Sequence, residues 1–139
     1  MVRIPVFLVL TGLIFAAISV VIDYARERFD SAPIQILSGH LEKTALARGD
    51  SLRVVLMVKR TRLCHTAVAR YIHSSNGDVI AYHESIGGDA PVGTTRYAFT
   101  FPLPETIAPG RYGFKGVVAS TCGMRRYIEV TPSLHFSVS

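Results

Sequence analysis

The sequence contains no tryptophan and only two cysteines, and charged residues fill just 18% of its 139 positions. So few cysteines exclude a disulfide-dense mini-protein. Low charge beside an apolar content of 49% excludes a disordered or low-complexity chain. No internal repeat is present, which excludes a solenoid. A mass of 15.2 kDa excludes a multi-domain enzyme and fits one ordinary domain plus an appendage. Paired carboxylates, a glycine-rich phosphate loop and a Cys–His nucleophile pair are also lacking, so no catalytic residue is assigned and a non-enzyme is expected. His40, His65, His73, His83 and His135 are scattered without metal-ligand spacing. No metal and no cofactor are therefore expected. What the chain does carry is a basic balance, 15 Lys and Arg against 10 Asp and Glu.

The N-terminus carries the longest apolar run. Residues Ile4 to Ile22 read IPVFLVLTGLIFAAISVVI, without a charge. As a helix this run would reach across a bilayer core of ~30 Å. The sequence thus predicts a transmembrane signal-anchor helix with a short polar extension over residues 1–30. That places the protein in the inner membrane as a single-pass protein with an extracytoplasmic domain, the lipid bilayer being its first partner. The rival reading is a cleaved signal peptide ending near Ala17-Ile18-Ser19, although apolar residues continue through that point. Gly12 and Ala16 form a small-xxx-small pair, a spacing that lets two helices pack closely.

Residues 31–139 read as an all-β domain. After Pro33 the apolar pattern takes a period of two, as half-buried strands require. Leu52, Val54, Leu56 and Val58 alternate with Arg53, Val55, Met57 and Lys59. Val68, Arg70 and Ile72 alternate with Ala67, Ala69, Tyr71 and His73. Tyr97, Phe99 and Phe101, then Tyr112, Phe114, Gly116 and Val118, and finally Leu134, Phe136 and Val138 repeat the pattern. Turn signals separate these runs, notably Asn76-Gly77, whose two central positions tolerate positive φ in a hairpin. Seven or eight short antiparallel strands at regular spacing point to a β-sandwich.

The spacing of Cys64 and Cys122 is similar to that of the inter-sheet cysteine pair of immunoglobulin domains, and the domain resembles an immunoglobulin-like sandwich. Ser120 stands where that family places a tyrosine two residues before its second cysteine. The Arg-rich strand leading to Cys64, Asn76-Gly77-Asp78, Pro109-Gly110-x-Tyr112, Cys122 and the final Pro132 strand also resemble small membrane-anchored proteins encoded by tailed phages. That resemblance implies a role such as superinfection exclusion.

Two cysteines in an exported domain are most simply one disulfide, Cys64 to Cys122, the other reading being two buried thiols. A bond would gather Lys59, Arg60, Arg62, Arg125 and Arg126 at one end of the sandwich. Such a cluster draws an anionic surface by salt-sensitive steering. Its bland reading is charge that protects a sheet edge from pairing.

Two motif matches fall away. Gly49-Asp50-Ser51-Leu52 is similar to the nucleophile block of GDSL hydrolases, but no Asp is followed three residues later by a His. Cys122 and Met124 resemble a cupredoxin ligand loop, but only Gly123 lies between them. The expected function is a membrane-anchored, extracytoplasmic, non-enzymatic binding or structural module with a protein partner. Nucleic acid is not expected as a partner. The alternatives are an accessory subunit of a larger membrane or virion assembly and a small redox or metal-binding sandwich.

Overall fold

A computed structural model describes residues 6–29, 31–87 and 90–139, with side chains for 12–26, 31–87 and 90–139. One helix, α1 (Val6–Phe29), precedes nine strands. These are β1 (Ile34–Leu41), β2 (Ala45–Leu46), β3 (Ser51–Arg60), β4 (His65–Ser74), β5 (Val79–Ile86), β6 (Gly93–Pro102), β7 (Gly110–Cys122), β8 (Arg125–Val130) and β9 (Leu134–Val138). Helix and strands form separate compact units.

Within α1, the Ser19 hydroxyl donates to the Phe15 carbonyl at 3.0 Å, one turn back. Gly12 and Ala16 lie on one exposed face, and a Cβ on Gly12 would meet nothing within 4 Å. The expected membrane anchor is corrected here. No helix among the described residues is long and apolar enough to cross a membrane. The inner-membrane, single-pass location expected from the sequence falls with it.

The strands make two sheets. The smaller has the order β1-β3-β6, the larger β2-β9-β7-β4-β5, with β8 on the same side of β7 as β9. β7 is long enough to pair with β9 through Gly110–Phe114 and with β8 through Val117–Cys122. The chain steps from β8 to β9 around Thr131. Its buried hydroxyl accepts from the Gly116 N–H at 2.7 Å, and its own N–H donates to the Gly116 carbonyl at 2.8 Å. That exchange keeps β7 satisfied where neither neighbour pairs with it.

Period-two alternation supplies the core. Leu52 and Val54 from β3, Ile72 from β4, Phe101 from β6 and Phe114 from β7 are buried between the sheets. Phe114 packs on Phe99 and Phe101 of the opposite sheet, at centroid distances of 5.8 and 6.1 Å. Tyr112 stacks on its cross-strand neighbour Phe136 at 5.8 Å.

Two local details depart from expectation. Gly77 adopts φ 90°, but among the described residues no residue other than glycine has positive φ, so Asn76 keeps the ordinary region. The β4–β5 turn is therefore not the two-residue mirror-image type; its Gly77 N–H donates to Ser74 and the ladder shifts register at Ile72 and His73. The second detail is a tyrosine corner. The Tyr112 hydroxyl, near the start of β7, donates to the Ala108 carbonyl at 2.7 Å. Ser120 replaces the tyrosine of the immunoglobulin pattern, and Tyr112 makes this sandwich-type bond earlier on the strand. Tyr112→Phe should lower stability by about 1 kcal/mol, read as a lower denaturant midpoint at unchanged slope.

Candidate functional site

Parity along the strands decides which side chains face between the sheets. On β3 the inward set ends with Leu56, Val58 and Arg60, and on β4 it runs Thr66, Val68, Arg70 and Ile72. On β7 the inward set opposite them is Phe114, Gly116 and Val118. At one end of the sandwich, large side chains close the interlayer. Toward the other end the valines are smaller, and Gly116, opposite Arg70 in register, has no side chain to fill the space. The result is a half-open cleft of about 310 Å³ with mostly apolar walls. That volume lies at the lower end of small-molecule sites, which run ~300–1,000 Å³.

The cleft opens because the sheets are unequal. β6 covers β4, as the contact of Arg70 with Phe99 shows. β5 lies beyond β4 in the larger sheet and so extends past the edge of the smaller one. Gly87, at the end of β5, closes on Thr66, with its N–H donating to the Thr66 carbonyl at 2.6 Å. A Cβ on Gly87 would come within 2.9 Å of Thr66 Cβ, so the rim is tightly packed at that point.

Arg70 is the unusual group. It sits on an inward face between Val68 and Ile72, and its guanidinium lies over the Phe99 ring at 4.5 Å. One N–H donates to Ser85 Oγ at 3.3 Å. No carboxylate pairs with Arg70 or with Arg60 among the described residues. Burial pushes the Arg70 guanidinium below its ordinary pKa, yet an arginine stays charged throughout the working range of a protein. Among the described residues lining the cleft, none is a carboxylate, an imidazole or a thiol. Elsewhere the Tyr82 phenol is raised above its ordinary range, first by its hydrogen bond to Glu84.

Cys64 and Cys122 are bonded, with Cα atoms 5.0 Å apart and a sequence separation of 58. The bond joins β4 to its hydrogen-bonded neighbour β7 within one sheet, next to the pair His65 and Thr121. It does not cross between sheets as in the immunoglobulin pattern. The five basic residues placed near it in sequence do not all share one face. Lys59 pairs with Gln35 and Thr94 and points to the outer face of the smaller sheet. Arg126 pairs with Thr121 on the outer face of the larger sheet. Arg60 lines the cleft. Arg62 reaches β8, where it donates to the Tyr127 hydroxyl at 3.1 Å and lies 5.4 Å from that ring. Arg125, opposite Cys122, shares the inward parity of Tyr127 and Glu129.

The sequence reading missed Arg70. A signal existed, since Arg70 is the one charged residue in the Val68 and Ile72 register of its strand. A second unassigned feature is the outer face of the larger sheet, where Ile86 and Ile128 are 76% and 60% exposed and flank Ala67 and Ala119 in register. No group of three or more His, Cys, Asp or Glu among the described residues is arranged to hold a metal ion.

No protein-family model and no curated protein matches the chain. Solved structures do resemble it in fold. The C-terminal domain of wzt superposes with a TM-score of 0.61 at 9% identity, covering 78% of this chain and 75% of that one. The Pseudomonas fluorescens alkylpurine DNA glycosylase AlkC, bound to DNA containing an abasic site analog, reaches 0.53 at 14% identity. That match covers 78% of this chain but only 31% of the glycosylase. Identities this low show a shared sandwich-like, mostly β fold alone. Neither match confirms an immunoglobulin-like family or a phage protein.

Proposed function

We propose that the chain is a non-enzymatic binding module whose ligand enters the cleft between the two sheets. The observation that carries this reading is the half-open 310 Å³ space between Val58, Val68 and Val118, with Arg70 turned into it. Guanidiniums hold ligands but neither give nor take protons near neutral pH. The hydroxyls of Thr66, Tyr97 and Thr131 are the remaining side-chain polar groups around the cleft. Such walls suit retention and selection of a ligand rather than acid–base or nucleophilic chemistry.

Titration of the full chain with octanol, followed by amide NMR, tests this reading. The expected shifts centre on Val68, Phe99 and Val118. Val68→Phe, which fills the cleft, should abolish them without unfolding the protein. Shifts that survive Val68→Phe would overturn the cleft as the site. A stable stoichiometric complex with another protein, with no octanol response, would instead favour an accessory subunit. The exposed apolar outer face around Ile86 and Ile128 supports that second reading.

A further inference from the structure

A charged side chain turned inward between two sheets needs a reason. Placing a guanidinium among valines and phenylalanines costs desolvation that one hydrogen bond and a ring face only partly offset. A methionine of similar length at position 70 would fit the same walls without that cost. Arg70 has five N–H donors, and the structure shows one of them engaged, by Ser85. Its guanidinium carbon lies 4.5 Å over the Phe99 ring. Phe99 is itself backed by Phe114. The guanidinium is thus fixed in orientation before any ligand arrives, and little rotamer freedom remains to be lost on binding. Arg60 adds a second cation to the same cleft, also without a carboxylate partner among the described residues.

We infer that the ligand of this cleft is a small amphipathic carboxylate, with its head on the Arg70 fork and its apolar body between Val58, Val68 and Val118. The inference rests on the cleft being the binding site and goes further by naming the ligand class. A carboxylate fits because two parallel N–H···O bonds match a guanidinium fork, and its single charge neutralises the half-buried cation. The body must be short. A space of 310 Å³ holds about ten water volumes at ~30 Å³ each, and octanoate has about that many non-hydrogen atoms. Arg60 draws the anion toward the site from solution.

Calorimetric titration of the full chain compares octanoate, octanol and octyl phosphate. Octanoate is expected to bind at least about tenfold more tightly than octanol. Arg70→Met should remove that advantage and leave octanol binding intact. Should the methionine variant fail to fold, Arg70→Lys tests the same point by keeping the charge and losing the fork. It should weaken octanoate by about tenfold. Equal affinity for octanoate and octanol, both lost in Val68→Phe, would overturn the carboxylate while the cleft stands. Binding by neither would overturn the cleft as well. Octanoate binding that ignores both Arg70→Met and Val68→Phe places the anion elsewhere, and tighter binding of octyl phosphate reassigns the head group. Either result defeats the inference.

Discussion

Phe114→Ala is expected to destabilise the protein by about 3–5 kcal/mol, the range for truncating a buried phenylalanine. Phe114 is fully buried on β7 and touches two rings from the opposite sheet, Phe99 and Phe101. Truncation removes transfer free energy and leaves a void that rigid strands on both sides cannot collapse to fill. The total stability of a domain is about 5–15 kcal/mol, so the loss is a large share of it. Denaturant unfolding should show a much lower midpoint with an unchanged slope. The substitution should also reach the cleft. Phe99 loses its backing ring, so the platform under Arg70 loosens and the selectivity for octanoate over octanol should fall even where the fold survives. A cost below about 1 kcal/mol would mean that Phe114 does not hold the two sheets together as its contacts indicate.

The second large effect belongs to the disulfide. Cys64→Ser with Cys122→Ser is expected to cost about 4 kcal/mol in the chain-entropy model, since the bond closes a long loop in the unfolded state. The separation of 58 residues sets that figure. The native strands are already hydrogen-bonded neighbours at this point, through His65 and Thr121. Little native geometry should therefore change, and the loss should come through the unfolded ensemble. Reductant added to the wild-type protein should lower its unfolding midpoint to that of the double variant. The double variant should not respond to reductant. A wild type equally stable with and without reductant would show that the bond constrains nothing the sheet does not already fix.

Much of the sandwich was legible in the sequence. The strands of strictest alternation, β3, β6, β7 and β9, are central or lie against the core, where one face must be apolar. The outer strands β5 and β8 were harder to see. Val79, Tyr82 and Ile86 on β5 and Ile128 and Val130 on β8 are exposed apolar residues, so burial does not explain their pattern. Tyr112 was legible as one of the alternating residues of its strand, but its hydrogen bond back to Ala108 was not, because the turn before β7 sets it.

The N-terminal run shows a limit of composition alone. Its lack of charge argued for a membrane span, whereas the described part of the helix falls short of one in length and apolarity.

The alternation of β4 was visible too, but its direction was not. Val68, Arg70 and Ile72 on one side faced Ala67, Ala69 and Tyr71 on the other, and both sets are apolar enough to be the buried one. Only the packing of Phe99 against Arg70 decides that the arginine is inside. The sequence by itself determined a chain of short strands after residue 31 and a cysteine pair free to bond. The tertiary structure decided which sheet the bond lies in and which cations meet. Neighbours along a strand point to opposite faces. Lys59 and Arg60, or Arg125 and Arg126, therefore diverge however close they stand in the chain, and one sandwich end that looked uniformly basic became two outer faces and an arginine-lined cleft.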